Sequence, residues 1–334
     1  MSDNSGLSGL ANLGNTCFLN SCMQVLSHTP ELTAVLSKTV KKKTPDAALL
    51  NEWAALQSQL HSAEDKKIVI PHKFVKTVQV VARMKNNDLF TGFAQNDVAE
   101  FLIFVIDCFH NALSRETKMT ISGVANGSKD ELAVKCYEMV RQMYSKDYSE
   151  VWSVFYGIQV SEISGPTIKK TYKPEPFFIL DLPLPLSEAK ANEPSLIDCF
   201  NLFTESESID GYENEKTKRR ETIQKRITFW SLPNILVIDL KRFNARNQKK
   251  QNLVSFPLVN LDLSPYVSGY SPSKYKYDLY GVCNHSGGAL GGHYTAYVKA
   301  VNGKWYHFND TSVSEVDERI IVSTKAYCLF YRKR

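Results

Sequence analysis

The hydrophobic pattern of the chain changes near residue 150, and this change restricts the available folds more than any other feature. Before it, apolar residues recur at three- and four-residue steps, most clearly from Val98 to Leu113, which predicts an amphipathic helix with Asn96 or Asp97 as its N-cap. Pro71 predicts the start of another helix. After residue 150, short segments rich in aromatic and β-branched residues are typical of antiparallel strands. Helices followed by strands indicate an α+β fold.

Two stretches beyond residue 150 depart from this strand pattern. Residues 161–171 lack it, and residues 205–220 are so charged that we expect a loop there. Gly, Pro, Asn and Ser clusters separate the remaining segments. No repeat of fixed period is found in the sequence, so a solenoid or propeller is not expected.

Composition excludes several classes of protein. The chain is 43% hydrophobic and 22% charged, which is ordinary for a globular protein. Its net charge of +5 falls short of the clustered basic surface of a dedicated nucleic-acid binder. The longest apolar run in a helical context, Phe101–Ile106, is too short to span a bilayer, and the first ten residues do not resemble a secretory signal. We therefore expect neither a nucleic-acid nor a membrane partner.

The seven cysteines are odd in number, widely scattered and without a CxxC pair; they are Cys17, Cys22, Cys108, Cys136, Cys199, Cys283 and Cys328. This pattern does not suit a disulfide framework. A chain of 334 residues can bury enough surface without disulfides. The pattern indicates reduced thiols and an intracellular protein.

Cys17 lies in the most informative stretch of the chain, GLANLGNTCFLNSC at residues 9–22. Gly14 and Asn15 suit a tight turn, and the apolar residues that follow predict a helix. At a helix N-terminus the unpaired N–H groups should lower the thiol pKa, and the thiolate is the species that attacks a carbonyl carbon. The stretch alone leaves two interpretations open, a nucleophile or a small buried hydrophobic residue.

A general base and its orienting group are expected in two late segments, GGHYTAYV and WYHFND. His293 begins one predicted strand, and Asn309 and Asp310 end the next. A hairpin between these strands would bring the imidazole beside Asn309 or Asp310, with its other nitrogen facing Cys17.

Other histidines and the neighbouring glycines leave alternatives open. His285 and His307 compete for the role of base, and His293 could instead be a structural histidine. Glycines at positions 287, 288, 291 and 292 predict a mobile loop ahead of His293, which would let a substrate backbone approach closely.

Several ordered motifs together resemble the ubiquitin-specific proteases, the papain-like deubiquitinases, from Gly9 to Tyr331. The first is the cysteine box GLANLGNTCFLNSCMQ, and the second is QNDVAEFL, beginning at Gln95. LVIDLKRF with VSFP after it resembles a palm strand, GGHYTAYV…WYHFNDTSV resembles the histidine box, and AYCLFYRK resembles the last strand. The probability that so many motifs agree by chance, and in the correct order, is very small.

The resemblance implies a catalytic role for each matching residue. Cys17 is the nucleophile and His293 the general base. Asn309 is the orienter, with Asp310 as an adjacent acid that shares or takes over that work. Asn12 matches the amide of the oxyanion hole, with a turn-forming asparagine as its alternative role.

The resemblance also implies a channel for the substrate tail. Gln95, Asp97 and Glu100 match the positions that meet this tail. Ubiquitin ends in a basic, extended tail that finishes in Gly-Gly, so acidic side chains beside a narrow channel would pair with its arginines. Asp97 could serve as an N-cap instead of, or together with, this role.

One departure from the family concerns a structural zinc. Most members carry two CxxC pairs at the fingertips, which here should fall in residues 157–164 and 211–216, and neither segment contains a cysteine. Because tetrahedral zinc is bound by thiolates or imidazoles, we expect no zinc and no other cofactor. The fingers should then be short and held together by strand pairing alone.

Taken as a whole, the resemblance implies a papain-like catalytic domain over residues 1–334, with a helical thumb at about 7–150 and reduced fingers and an antiparallel palm at about 151–334. The expected reaction is hydrolysis of the isopeptide or peptide bond after the C-terminal glycine of ubiquitin, through an acyl-enzyme on Cys17. The expected partners are ubiquitin and ubiquitinated proteins in the cytoplasm or nucleus. Two alternatives stay open, a non-catalytic ubiquitin-binding scaffold and a protease for a ubiquitin-like modifier.

Overall fold

A computed structural model describes residues 6–36, 42–62, 67–185, 193–214, 217–289 and 291–334. Residues 1–5, within the segment examined for a secretory signal, and residues 215–216, within the second segment examined for zinc ligands, lie outside it. The helices are α1 Cys17–Ser27, α2 Pro30–Leu36, α3 Pro45–Leu60, α4 His72–Met84, α5 Val98–Leu113, α6 Ser128–Tyr144, α7 Val151–Phe155 and α8 Leu196–Thr204. The strands are β1 Gly9–Leu10, β2 Ile68–Val69, β3 Gly157–Ser164, β4 Thr171–Phe177, β5 Ile179–Leu182, β6 Glu207–Glu213, β7 Arg220–Ser231, β8 Ile235–Leu240, β9 Leu261–Asp262, β10 Lys276–Gly288, β11 Gly291–Lys299, β12 Trp305–Asn309, β13 Ser312–Val316 and β14 Ala326–Lys333.

The helices α1 to α7 form the thumb and precede almost all of the strands, so the predicted α+β class is confirmed. The helix predicted from the 98–113 pattern is α5, and Asp97 caps it by accepting hydrogen bonds from the N–H groups of Ala99 and Glu100. The helix predicted at Pro71 is α4, which begins one residue later. No helix in the described ranges combines the length and apolar composition needed to cross a bilayer.

The palm is a sheet of eight strands in the order β13-β12-β11-β10-β14-β8-β5, with β9 beside β10. Its pairs are antiparallel, except that β5 runs parallel to β8. The helix α1 packs against β10, β11 and β12, within a core cluster that the thumb and palm share. This packing brings α1 against strands formed by the last sixty residues of the chain.

The fingers are a second sheet with strand order β4-β3-β7-β6, and they correct one expectation. Residues 205–220 were expected to form a loop, but residues 207–213 form β6 and pair with β7. The longest strand of this sheet is β7, with 12 residues, and it pairs with both β3 and β6. The β6 residues are exposed or partly exposed on both faces, so no apolar alternation in the sequence marks this strand.

The fingertips are held by a side-chain cluster in addition to strand pairing. Glu221 accepts hydrogen bonds from the backbone N–H (2.9 Å) and the hydroxyl (2.7 Å) of Thr167, which lies in the turn between β3 and β4. The amide of Asn214, at the end of β6, donates to the Thr167 hydroxyl at 3.1 Å and to Glu221 at 3.4 Å. The expectation that strand pairing alone holds the fingers together is therefore wrong. Within the described ranges, no group of three or more His, Cys, Asp or Glu side chains is arranged to hold a metal.

The glycines ahead of His293 form a regular hairpin, so the expectation of a loop was wrong. Gly287 pairs with Gly292, and Gly288 with Gly291. A Cβ on Gly292 would lie 2.2 Å from the His285 ring, and Gly287 has a φ of +110°. The missing side chains therefore allow the two strands of the hairpin and the His285 ring to approach one another.

Candidate active site

Cys17 is the first residue of α1, and its side chain is enclosed between the thumb and the palm. Thr16 stands before it as N-cap, and only 2% of Cys17 is exposed. The turn ahead of the helix is held by Asn12, whose Oδ1 accepts from the N–H groups of Gly14 and Thr16, both at 3.1 Å. The predicted tight turn and helix N-terminus are both present, and together they position the sulfur of Cys17 between the thumb and the palm.

The thiol pKa of Cys17 is raised overall, so the lowering influence expected from the helix N-terminus is present but does not prevail. Burial is the main cause, and the nearby carboxylate of Asp310 adds to it. Hydrogen bonds from the backbone of Tyr294 and Phe18 act in the opposite direction without prevailing. Among the described residues, no hydrogen bond joins Cys17 to His293, although Tyr294 is the next residue along β11.

His293 contacts the first of its two predicted orienting partners. Its Nε2 lies 2.7 Å from Oδ1 of Asn309, and since an amide oxygen can only accept, Nε2 carries the proton. The neutral ring then has its lone pair on Nδ1. The contact arises because β11 and β12 form the predicted hairpin, with Ala296 opposite Phe308.

Asp310 holds the segment around Cys17 and forms no hydrogen bond with the imidazole among those described. Its Oδ2 accepts from the amide of Asn12 at 3.0 Å, and its Oδ1 accepts from the amide of Asn20 at 2.8 Å. Its backbone carbonyl accepts from the N–H of Leu10 at 2.9 Å. With a φ of +49°, Asp310 has a left-handed backbone that asparagine and aspartate tolerate.

Asn12 combines both roles that the sequence left open. Its carbonyl oxygen organises the turn, as a turn-forming asparagine would. One hydrogen of its Nδ2 is used by Asp310, and the other has no acceptor among the described residues. The side chain is exposed, so this second hydrogen can reach a substrate oxyanion.

Asp97, at the N-terminus of α5, has both of its carboxylate oxygens engaged in hydrogen bonds within the protein. Its Oδ1 caps the helix, and its Oδ2 accepts from the hydroxyl of Tyr327 at 2.6 Å and of Tyr294 at 3.4 Å. Burial, together with the nearby carboxylates of Asp239 and Asp97, keeps the pKa of Tyr327 well above its usual range, so the phenol remains a donor. Asp97 thus ties the thumb to the palm.

Gln95 and Glu100 lie on either side of Asp97 and differ from each other. The Gln95 amide hydrogen-bonds to both backbone groups of Gly292, accepting from its N–H at 2.7 Å and donating to its carbonyl oxygen. Glu100, in the first turn of α5, is exposed and forms no ion pair within the described ranges. Of the three predicted tail-binding residues, Glu100 is therefore the one with a free carboxylate.

Comparison with known protein families identifies the family of this chain. The model of the ubiquitin carboxyl-terminal hydrolase family covers residues 8–331. The chain belongs to this family. Among similar relatives, ubiquitin carboxyl-terminal hydrolase 2 of Bos taurus is 34% identical, over 98% of this chain and 55% of the relative, and that of Gallus gallus is 34% identical, over 98% and 93%. The chain therefore spans about half the length of the bovine relative.

Solved structures give the same fold. A chain of the SAGA DUB module Ubp8/Sgf11/Sus1/Sgf73, bound to monoubiquitin, aligns with a TM-score of 0.74 and 25% identity, over all of this chain and 70% of its own. A form of the module bound to ubiquitin aldehyde, at 24% identity, has a TM-score of 0.73. The resemblance to ubiquitin-specific proteases and the papain-like fold class are thereby confirmed.

Within this family fold, the two competing histidines do not occupy the position of a base. The His285 ring accepts at Nδ1 from the ammonium of Lys249 at 2.9 Å, and burial together with that charge lowers its pKa to about 4. His307 faces Tyr297, and burial lowers its pKa. Neither histidine contacts Asn309 among the described hydrogen bonds.

Asn20 is a site residue that the sequence analysis missed. It lies three residues after Cys17, is 2% exposed, and its amide joins Asp310 to the backbone carbonyls of Leu10 and Ala11. A polar side chain on a helix rich in apolar residues was the available signal, since a buried polar group needs partners. This network links the turn that carries Asn12 to the strand end that carries Asn309.

Proposed function

We propose that this chain is a thiol-dependent deubiquitinase, which hydrolyses the isopeptide or peptide bond after the C-terminal glycine of ubiquitin. The observation that carries the proposal is the 2.7 Å contact between His293 Nε2 and Asn309 Oδ1. It fixes the tautomer in which Nδ1 can accept a proton, on a strand that packs against the helix beginning at Cys17. Family membership and the ubiquitin-bound relative support ubiquitin as the substrate.

In the proposed reaction, His293 Nδ1 takes the proton of Cys17 as the sulfur attacks the carbonyl carbon of the terminal glycine. The resulting oxyanion accepts hydrogen bonds from the free Nδ2 hydrogen of Asn12 and from the backbone N–H of Cys17. Collapse breaks the C–N bond, and the imidazolium protonates the leaving amine. Water then attacks the thioester, gives its proton to His293, and releases the ubiquitin carboxylate and the thiol.

The raised thiol pKa implies that Cys17 is protonated before substrate arrives. Free and substrate-bound sites of this kind often differ in the length of the catalytic hydrogen bond. We therefore assign deprotonation to the substrate-bound state, in which His293 comes within hydrogen-bond reach of the sulfur.

Turnover of a fluorogenic ubiquitin amide tests the proposal. Wild type should release the fluorophore, and Cys17→Ala should reduce the rate to background. Cys22→Ala provides a matched control, because Cys22 lies on the same helix and is fully buried. Turnover that survives Cys17→Ala, or is absent from the wild type, would contradict the proposal.

A non-catalytic ubiquitin-binding scaffold is the second candidate function. The observation in its favour is the enclosed, protonated Cys17 without a hydrogen bond to His293 in the described ranges. Ubiquitin binding without turnover at any pH between 6 and 9 would establish it. The third candidate, a protease for a ubiquitin-like modifier, would show faster turnover on that modifier than on ubiquitin.

We further propose that residues 1–334 act as one catalytic unit in the cytoplasm or nucleus. The shared core of thumb and palm supports the first part, and seven free cysteines support a reducing compartment. A single thermal transition is expected, and two separated transitions would contradict the single unit. Recovery of the tagged chain from the secreted fraction would contradict the location.

A further inference from the structure

Lys249 is a partly buried lysine whose described side-chain hydrogen bonds both go to one residue of the palm, His285. Its ammonium lies 2.9 Å from Nδ1 of the His285 ring and donates to the His285 backbone carbonyl at 2.6 Å. Burial, together with the nearby charge of Arg242, lowers the pKa of Lys249 to about 8, so the ammonium form predominates at neutral pH. Because an ammonium can only donate, the ring nitrogen accepts, and Nε2 carries the proton of His285.

The backbone around Lys249 is braced on both sides. Lys249 forms an antiparallel bridge with Phe243, which closes the turn between these two residues. The Arg242 guanidinium is fully buried, and it donates to the backbone carbonyl of Lys250 at 3.1 Å and to that of Asn252 at 2.9 Å. These contacts fix the backbone, so the Lys249 side chain reaches the palm from a defined position.

The ring of His285 lies against both chain neighbours of His293. His285 is opposite Tyr294 in the hairpin of β10 and β11, and the centroids of their rings are 4.6 Å apart. A Cβ on Gly292 would lie 2.2 Å from Nε2 of His285, so this ring fills the space beside the glycine. Another orientation of the ring would therefore change the packing on both sides of the proposed general base.

The same backbone is held from the thumb by Gln95. The Gln95 amide accepts from the N–H of Gly292 at 2.7 Å and donates to the Gly292 carbonyl. Gly292 is therefore held from the thumb by Gln95 and from the palm by the ring of His285. The 2.7 Å contact between His293 Nε2 and Asn309 Oδ1 depends on the position of this backbone.

We infer that Lys249 is a positioning residue for the proposed reaction, which fixes the His285 ring and thereby holds the backbone that carries His293. This inference rests on the proposed function. The described hydrogen bonds of the Lys249 ammonium go to His285 and not to Cys17 or His293, so its effect passes through His285. Since a displacement of about 1 Å at a catalytic group can cost about 10²-fold in rate, loss of this support should appear in kcat rather than in affinity for ubiquitin.

The test compares Lys249→Met with Lys250→Met. Each change removes a partly buried ammonium that donates to a backbone carbonyl, but Lys250 donates to Leu184 and not to His285. Turnover of a fluorogenic ubiquitin amide is expressed per active site, and active sites are counted by complete labelling with ubiquitin that carries a C-terminal electrophile. Lys249→Met should lower kcat about tenfold and change KM less than about twofold, whereas Lys250→Met should keep both within about twofold.

Hydrogen exchange without substrate shows whether the backbone itself has lost support. Exchange of the amides of residues 292–294 should become at least about threefold faster in Lys249→Met and stay unchanged in Lys250→Met. The melting temperatures of both variants should lie within about 2 °C of the wild type, because the contact is local.

An NMR titration of the histidine rings checks the contact between Lys249 and His285. Burial and the charge of Lys249 lower the pKa of His285 to about 4, while the charge of Asp97 acts in the opposite direction. Removal of the ammonium in Lys249→Met should therefore raise the pKa of His285, and Lys250→Met should leave it unchanged.

The outcomes distinguish this inference from the proposed function. Wild-type kcat per active site in Lys249→Met, or unchanged exchange at residues 292–294, would overturn the inference even if the wild type turns over ubiquitin amides. An equal loss of kcat in Lys250→Met would also overturn it, because the loss would then not depend on His285. If the wild type shows no turnover, the proposed function fails, and the exchange and titration results decide whether Lys249 supports this backbone.

Discussion

The proposed catalytic cleft and the fingertips are held together by different kinds of constraint. In the cleft, the imidazole of His293 and the amide of Asn309 meet at 2.7 Å, and the proposed chemistry requires those residue types. At the fingertips, Glu221 and Thr167 join two hairpin ends at 2.7 Å. Many combinations of side chains can hold two turns together. A nucleophile and its general base, in contrast, require particular residue types. The comparison predicts severe losses of activity in the cleft and mild losses of local order at the fingertips.

The largest effect should follow removal of the base. His293→Ala should lower kcat for a fluorogenic ubiquitin amide by at least about 10³-fold, because neither proton transfer can then occur on the enzyme. His72→Ala, an exposed histidine on α4, is the control and should retain normal turnover. Near-normal turnover by His293→Ala would contradict the prediction that changes in the cleft cause severe losses of activity.

The next effect separates Asn309 from Asp310. Asn309→Ala should lower kcat by about 10- to 100-fold, since the imidazole loses the hydrogen bond that fixes its tautomer. Asp310→Asn keeps the left-handed backbone but removes a negative charge near Cys17, and that charge raises the thiol pKa. The thiol pKa should therefore fall, and alkylation of Cys17 by iodoacetamide at neutral pH should become faster.

These two variants can contradict the assignment independently. If Asp310→Asn slows alkylation while the protein stays folded, the electrostatic account of Cys17 is wrong. If Asn309→Ala turns over substrate at the wild-type rate, Asn309 is not the orienting residue.

A smaller effect distinguishes the two carboxylates at the start of α5. Glu100→Gln should raise KM for a ubiquitin substrate about three- to tenfold with kcat unchanged, because its exposed carboxylate is available to pair with a basic substrate tail. Asp97→Ala should instead lower the melting temperature, since a lost N-cap costs about 0.5–2 kcal/mol. Steady-state kinetics and thermal unfolding on both variants provide the check. A KM effect without a stability effect at Asp97 would reverse these roles.

The smallest effect is expected at the fingertips. Thr167→Val removes the hydroxyl that links Glu221 to Asn214, so amide exchange near residues 165–168 should become faster while the melting temperature falls by at most about 2 °C. Turnover should be insensitive to a zinc chelator. Loss of activity on chelation would show that the fingers depend on a metal after all.

The hydrogen-bonded cluster of Thr167 and Glu221 at the fingertips should become less stable at acidic pH. Hydrogen bonds from Thr167 lower the pKa of Glu221 below its ordinary value of 4.5. A lowered folded-state pKa contributes stability above the unfolded value, and this contribution is lost as the pH falls through the folded value. Fingertip protection should thus be constant from pH 7 to 5 and decrease under more acidic conditions, and Glu221→Gln should abolish that decrease.

Those parts of the cleft whose position follows from the spacing of residues along the chain were predictable from the sequence. The periodicity of residues 98–113 gave α5, and the two late strand patterns gave the hairpin that joins His293 to Asn309. The thiol pKa was not predictable, because burial of Cys17 depends on strands almost three hundred residues away. The charged β6 also escaped prediction, since pairing with β7, rather than its own pattern, makes it a strand.

Two other features show why local pattern was insufficient. The helix α8 lies among strands, and its signal was a capping box in which Ser195 and Asp198 exchange hydrogen bonds. The parallel pairing of β5 with β8 brings Asp181 beside Asp239 across more than fifty residues. Register between distant strands is a tertiary property, so no local pattern could place this acidic pair.

The central claim, that Cys17 attacks the carbonyl carbon of the terminal glycine, is tested most directly with ubiquitin that carries a C-terminal electrophile. Intact mass should show one ubiquitin added per chain, and peptide mapping should place the bond on Cys17. An adduct on any of the other six cysteines, or equal labelling of the Cys17→Ala protein, would contradict the account.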